Sequence, residues 1–204
     1  PSRPANFIES AWYSATQVLA EGQSALRQLN EWLADESALR VEGRPVLLLF
    51  GPLWLGPAEA PAFRAGLLPG TRVYALPHLA ASAGFTDRFA WVPVADGRRP
   101  DQETWQRELS GLQEGGAVAL AFPGYHDYYA EAGQGPSYGF ISRAEGRTLR
   151  VSLEQALARP TPFVQVATWN DYGEGTAIEP SRGAGFLALE TLQRLSLIHI
   201  SEPT

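Results

Sequence analysis

Cysteine is absent from this chain of 204 residues, which excludes disulfides, thiolate nucleophiles and zinc sites built on thiolates. Histidine is scarce: only His78 and His126 lie outside the last eight residues, too few for a metal site built on imidazole. The sequence therefore predicts no metal and no organic cofactor.

Long apolar runs and clusters of basic residues are also missing. Apolar runs such as residues 46–50 and 117–122 are far shorter than the roughly 20 residues that span a bilayer. The net charge is -6, and no run of Lys or Arg follows the spacing of a phosphate backbone. Neither a membrane nor a nucleic acid is therefore predicted as a partner.

The two ends of the chain predict little about location or assembly. Residues 1–7 carry no initiator Met and no charged or apolar signal segment, so a targeting signal would lie upstream. The last eight residues, 197–204, resemble the translation of a sequencing-adapter read-through. We expect residues 1–196 to form one domain and 197–204 to be a non-native tail, the alternative being a genuine C-terminal strand or helix end. The oligomeric state is left open.

Short apolar runs bounded by turn residues alternate with segments of helical period. The pattern predicts strands at residues 46–50, 72–76, 88–94, 117–122 and 163–168, and helices at 15–33, 58–67, 101–112, 153–158 and 185–195. A (β/α)8 barrel takes eight strands in about 250 residues. We therefore predict an α/β fold of the (β/α)8 TIM-barrel type that is incomplete, with about the C-terminal five βα units. Expressed alone, such a chain is expected to be inactive or poorly soluble, because open strand edges promote association.

An acidic loop follows the last predicted strand, with the sequence Trp-Asn-Asp-Tyr-Gly-Glu-Gly-Thr at positions 169–176. Barrel enzymes carry their chemistry at the carboxyl ends of the strands. Asp171 and Glu174 are three residues apart, and the glycines beside them let the backbone turn both side chains into one cavity. Hydrolysis of a glycosidic bond needs two carboxylates, so this pair is predicted to be catalytic. The alternative is a solvated turn or a helix cap.

Further residues are predicted to bind the substrate. In the acidic loop, Asn170 is suited to a sugar hydroxyl, and Trp169 and Tyr172 to stacking on a sugar ring. A second cluster, Phe-Pro-Gly-Tyr-His-Asp-Tyr-Tyr at positions 122–129, follows another predicted strand and is expected to open on the same face. The predicted binding residues outside the acidic loop are Tyr125, His126, Asp127 and His78. The alternative for the histidines is a purely structural hydrogen bond.

Residues 166–181 resemble the C-terminal signature of glycoside hydrolase family 71/99-like proteins. Segments 40–46, 123–133 and 136–139 resemble parts of such proteins in the same order, so the resemblance covers about residues 10–182. It implies a barrel glycosidase that is endo-acting on an α-linked oligosaccharide or polysaccharide, and a secreted or periplasmic location.

In family 99 the loop motif reads Trp-Asn-Glu-Trp-His-Glu-Gly-Thr, and its two glutamates correspond to Asp171 and Glu174. The resemblance implies that Glu174 is the general acid/base and that Asp171 assists the sugar 2-hydroxyl as it attacks the anomeric carbon. Aspartate is shorter than glutamate by one methylene, which displaces the carboxylate by about 1 Å. A displacement of this size can lower the rate of catalysis. The Asp-Tyr-Gly-Glu order is closer to family 71, whose members act on α-1,3-glucans, so both α-mannan and α-1,3-glucan are candidate substrates.

Two other interpretations remain open. The first is a non-catalytic carbohydrate-binding or accessory protein on the same fold, which the aspartate at 171 and the aromatic loops would suit. The second is a fragment of another α/β enzyme in which the acids only cap turns.

Overall fold

The computed structural model describes residues 15–51 and 55–200. By their contacts, the residues fall into two compact units, Pro1–Arg88 and Phe89–Thr204. Both contain helices and strands, which confirms the predicted α/β class. The prediction that residues 1–196 form one domain stays a prediction.

The N-terminal unit is a four-stranded sheet with three helices. Its strands pair in the order β1-β2-β3-β4, and β2, β3 and β4 run parallel. The strands are β1 (Arg40–Val41), β2 (Arg44–Leu49), β3 (Arg72–Ala75) and β4 (Asp87–Arg88), and the helices are α1 (Ala15–Ala34), α2 (Ala60–Gly66) and α3 (Pro77–Ala83).

A tight hairpin joins β1 to β2. The two strands are antiparallel, and Arg40 pairs with Pro45. Both turn residues have positive φ, 53° at Glu42 and 74° at Gly43, which is the backbone of a two-residue hairpin turn matched to the strand twist. The turn thereby sets the register in which β2 enters the sheet.

The C-terminal unit is built around β5 (Ala119–Ala121), which pairs in parallel with β8 (Val164–Val166). A parallel bridge between Phe89 and Val118 continues the pairing on the other side of β5. A short antiparallel pair, β6 (Tyr125–His126) with β7 (Phe140–Ile141), follows β5 in the chain. The helices of this unit are α4 (Gln102–Leu112), α5 (Tyr128–Glu131), α6 (Arg147–Leu157) and α7 (Leu187–Ile200).

The core of the C-terminal unit lies on both faces of β5. Leu120 and the following Phe122 pack with Trp105 of α4, where the Trp105 and Phe122 rings meet edge to face at 5.4 Å. Ala121 points the other way and packs with Leu149 of α6. Because successive side chains of a strand alternate between faces, this small strand is covered on both sides. The two layers hold the carboxyl end of β5 in place.

Two predicted elements have different bounds in the structure. The strand predicted at 88–94 is shorter in the structure, with a ladder at Asp87–Arg88 and one bridge at Phe89. Pro93 in the predicted run cannot donate to a ladder. The helix predicted at 153–158 begins at Arg147 instead. Its apolar face starts with Leu149, one turn before Leu153, and polar neighbours had obscured that spacing in the sequence.

Other differences concern burial and the end of the chain. Two of the apolar runs are less covered than their composition favours, since residues 46–48 and 164–166 are half-buried. An apolar run shows that a strand favours burial and not how many layers cover it. Helix α7 continues through Ile200, so part of the predicted tail extends a helix; the non-native origin of residues 197–204 stays a prediction.

The described strands form three separate sheets, and no closed barrel is present among them. Most of the pairing is parallel. In the part of the chain that the structure describes, no helix combines the length and the apolar character needed to cross a bilayer.

Candidate functional site

The acidic loop, residues 169–176, begins shortly after β8 and is closed at its base by two threonines. The Thr168 amide donates to the Thr176 carbonyl at 3.0 Å, and the two hydroxyls lie 2.8 Å apart. Thr176 is fully buried. The Ile178 amide returns to the Thr168 carbonyl at 3.0 Å. The loop is therefore a compact turn anchored to the end of the strand.

Asp171 and Glu174 are both half-buried and are linked through the backbone of the loop. The Glu174 amide donates to Asp171 Oδ1 at 2.9 Å, and the Asp171 amide donates to Thr168 Oγ1 at 3.1 Å. One Asp171 oxygen thus acts as a turn cap, which is the role the alternative interpretation gave it. The other oxygen, Oδ2, has no hydrogen-bond partner among the described residues. Asp171 Oδ1 therefore makes a structural contact, and Asp171 Oδ2 can still accept a hydrogen bond.

The acidic loop meets the loop that follows β5, as expected for strand ends that open on one face. The His126 amide donates to the Glu174 carbonyl at 2.9 Å, and the Tyr128 amide donates to the Gly173 carbonyl at 3.0 Å. These two bonds bring the predicted acids and the predicted binding cluster together.

Arg143 binds the backbone of the acidic loop and was not predicted as a site residue from the sequence. Its guanidinium donates to the carbonyls of Gly175 at 3.1 Å and Ala177 at 2.9 Å. Burial lowers the pKa of Arg143 from its ordinary value. Gly124 makes room for it, since a Cβ there would lie 2.7 Å from Arg143 Cγ. No short-range pattern marks this arginine, because its partners lie more than 30 residues further along the chain.

Gly175 is required where the two loops touch. Its φ is +62°, and an added Cβ would lie 3.0 Å from His126 Cβ and 3.1 Å from the His126 amide nitrogen. We expect Gly175→Ala to lower the free energy of unfolding by about 1–3 kcal/mol, measured by urea denaturation. Gly183→Ala is the matched control, since an added Cβ meets no atom within 4 Å there. Equal stability of the two variants would contradict this contact.

His126 is half-buried and surrounded by ring and carboxylate contacts. Its Nε2 lies 2.5 Å from Glu131 Oε1, its ring stacks on Tyr128 at 3.9 Å, and the Phe140 ring meets it edge-on at 5.3 Å. Glu131 was not predicted from the sequence, where it is one of many exposed acids. The carboxylate fixes the orientation of the imidazole ring beside the acidic loop.

Asp127 is buried, and both of its oxygens accept backbone hydrogen bonds. Oδ1 accepts from the Ala130 amide at 3.2 Å, and Oδ2 accepts from the Tyr138 amide at 2.8 Å. The side chain caps α5 and ties it to the segment before β7. The direct contact of Asp127 with a sugar stays a prediction.

Four aromatic side chains of the two loops are exposed: Trp169, Tyr172, Tyr128 and Tyr129, at 54%, 52%, 47% and 39%. Asn170 is exposed as well. The Tyr172 hydroxyl donates to Glu179 Oε1 at 2.5 Å, and this hydrogen bond raises the pKa of Tyr172. The exposed ring faces are available for stacking on a sugar.

Two other predicted binding residues occupy different surroundings. Tyr125 is 3% exposed and packs in the core beside Phe122, so its ring offers little surface. His78 is exposed at the second position of α3, directly after β3 in the N-terminal unit. Their roles in substrate binding stay predictions.

A cavity of about 400 Å3 opens between the two loops and the start of the segment before α7. Its lining includes His126, Tyr128, Arg143, Tyr172 and Ser181, and neither Asp171 nor Glu174. Within the described ranges, no group of three or more His, Asp or Glu side chains is placed to hold a metal ion.

Solved structures with the same fold were found, whereas no family model and no curated protein matches the sequence. The GH99 endo-α-mannosidase from Bacteroides thetaiotaomicron, in complex with bis-tris-propane, superposes with a TM-score of 0.62 at 14% identity. A second structure of that enzyme gives 0.59 at 12%. The chain shares the fold of a GH99 endo-α-mannosidase.

The similarity to the GH99 endo-α-mannosidase extends over most of this chain. It covers 94% and 92% of the chain in the two superpositions, and 68% and 63% of the enzyme's length. A glycoside hydrolase-like protein also matches, with a TM-score of 0.48, 14% identity and coverage of 89% of this chain and 62% of its own. The two superpositions on the GH99 enzyme confirm the sequence resemblance at the level of the fold, and the parallel strands resemble part of the GH99 barrel.

Proposed function

We propose that this chain belongs to a glycoside hydrolase that is endo-acting on an α-linked polysaccharide, either α-mannan or α-1,3-glucan. In this proposal Glu174 is the general acid/base and Asp171 the second carboxylate. No metal or organic cofactor takes part. The fold shared with a GH99 endo-α-mannosidase supports this assignment.

The observation that carries the proposal is the pairing of the two loops. His126 and Tyr128 donate backbone hydrogen bonds to the carbonyls of Glu174 and Gly173. The two half-buried acids thus lie on loops that carry four exposed aromatic rings and that follow β5 and β8. Substrate sites in barrel enzymes are built at this end of the strands.

The proposed chemistry divides the work between the two carboxylates. Glu174 protonates the glycosidic oxygen as the bond to the anomeric carbon breaks, and later removes a proton from the attacking water. On an α-mannoside, whose 2-hydroxyl is trans to the leaving group, Asp171 accepts the proton of that hydroxyl as its oxygen attacks the anomeric carbon. Asp171 returns the proton to this oxygen when water attacks the same carbon and the new carbon–oxygen bond breaks. Its Oδ2 is the oxygen that the loop leaves available for this step.

The proposal extends to the fold and to the remaining binding residues. We assign the parallel strands to an incomplete (β/α)8 barrel with about five C-terminal βα units. Trp169 and Tyr172 would stack on sugar rings, while Asn170 and His126 would bond to hydroxyls. Tyr125, Asp127 and His78 would complete the site, Asp127 by holding the loop.

A carbohydrate-binding protein without hydrolytic activity is the second candidate. The turn-capping bond of Asp171 Oδ1 and the absence of both acids from the lining of the 400 Å3 cavity favour it. In that case the aromatic loops would bind a polysaccharide that the protein does not cleave.

Hydrolysis panels distinguish the two candidates. The full-length protein that contains this chain is incubated with α-mannan, α-1,3-glucan and, as matched controls, β-linked mannan and glucan, and the released reducing ends are measured. We expect release from one α-linked polymer and none from the β-linked ones. Saturable binding of an α-linked oligosaccharide without release from any polymer would contradict the hydrolase and favour the binding protein.

A further inference from the structure

The 400 Å3 cavity, here called the Arg143 cavity, is lined by basic residues and by no acidic one. Its lining residues include one arginine and one histidine and no aspartate or glutamate. Small-molecule pockets are roughly 300–1,000 Å3, so the cavity has room for a sugar unit. Since neither catalytic candidate lines it, the cavity lies outside the proposed reaction centre.

Arg143 is a half-buried cation, and no carboxylate within the described ranges contacts it. Its two bonds go to neutral carbonyl oxygens, which leaves the other N–H donors of the guanidinium available. Buried charges in proteins are usually paired, because removing a charge from water is costly. An anion in the cavity would supply the missing partner.

Three acids that contact lining residues or share Arg143 with a second cavity are engaged or face elsewhere. Glu131 contacts His126, and Glu179 accepts from the Tyr172 hydroxyl. Glu145 lines a neighbouring cavity of about 270 Å3 that shares Arg143. None of the three forms an ion pair with Arg143 within the described residues.

We propose that the Arg143 cavity binds a sugar unit that carries an anionic group. The guanidinium of Arg143 receives the anion in a charge-assisted hydrogen bond. Tyr128 and Tyr172 offer exposed ring faces to the sugar, and the Ser181 hydroxyl lies in the same lining. The inference rests on the proposed function only in taking the ligand to be a carbohydrate. It adds a preference for acidic glycans, which a neutral mannan or glucan does not require.

The test compares matched ligands on a variant that cannot hydrolyse them. Calorimetric titration of Glu174→Gln with methyl α-D-glucuronide and methyl α-D-glucoside should show about tenfold or greater preference for the glucuronide. The preference should shrink as salt is raised. Glucose 6-sulfate and glucose 6-phosphate separate the sources of the anion, and tighter binding of either ester than of glucose supports the same chemistry. Equal affinity for charged and neutral sugars, or no binding of any charged sugar, would overturn the inference.

Amino-acid substitutions then test whether Arg143 causes the preference for the charged sugar. Arg143→Gln should reduce it to about twofold or less, whereas Arg147→Gln, which removes the same charge from the exposed start of α6, should leave it unchanged. Because Arg143 also holds the acidic loop, Tyr128→Leu provides a second variant. It should weaken the binding of charged and neutral sugars alike and keep the ratio of their affinities.

Loss of the preference in Arg147→Gln, or its persistence in a folded Arg143→Gln, would place the anion elsewhere. Hydrolysis without a preference for charged sugars would contradict only this inference. A preference for charged sugars without hydrolysis would contradict only the proposed function.

Discussion

Replacing Glu174 by glutamine is expected to lower kcat/KM on the cleaved polysaccharide by about 10²- to 10⁴-fold. Glutamine keeps the size of the side chain and removes the proton that the leaving oxygen needs. The backbone carbonyl of residue 174 still accepts from His126, so the pairing of the two loops is preserved. The loss should therefore appear in turnover, with an unchanged unfolding midpoint.

The matched control for this experiment is Glu154→Gln. Glu154 lies on the exposed face of α6, where it pairs with Arg150 at 2.8 Å, and it is remote in sequence from both loops. Its replacement removes the same charge and should leave kcat/KM unchanged. If Glu174→Gln turned over substrate as fast as Glu154→Gln, Glu174 would have no part in proton transfer.

Replacing Asp171 by asparagine should lower kcat/KM by about 10²-fold or more while the fold stays intact. Asparagine retains an Oδ1 that accepts from the Glu174 amide, so the turn cap survives. It loses the negative charge and the ability to take a proton from the sugar 2-hydroxyl. This substitution separates the catalytic interpretation of Asp171 from the interpretation as a turn cap.

Asp171→Ala completes the comparison, because it removes the cap and the charge together. It should cost about 0.5–2 kcal/mol of stability in addition to the loss of activity. If Asp171→Asn were fully active and only Asp171→Ala were impaired, then the carboxylate would serve the turn alone.

The sequence predicted the α/β class and most of the elements because their apolar residues follow the periods of strands and helices. Strands β3, β5 and β8 lie within predicted runs, and β2 begins two residues before its predicted run. Burial was predicted less well, since Val164 and Val166 favour burial yet lie half-buried. Composition reports the preference of a residue, whereas layers are set by the elements that pack against it.

The candidate site was predicted as two loops that meet, and the meeting is visible in the His126 and Tyr128 backbone bonds. Local spacing could not reveal Arg143, whose carbonyl partners are 32 and 34 residues away. Local spacing also could not show that both carboxylate oxygens of Asp127 accept hydrogen bonds from backbone amides. Side-chain chemistry identifies which residues are able to act, and tertiary contacts decide which of their atoms are available.

The most direct test of the carboxylate pair is a crystal structure of Glu174→Gln with an oligosaccharide of the cleaved α-linked polymer. We expect the side chain of residue 174 to lie within about 3 Å of the glycosidic oxygen and Asp171 Oδ2 to approach the 2-hydroxyl of the same sugar. An oligosaccharide bound with neither side chain within hydrogen-bonding reach of the scissile linkage would contradict the account.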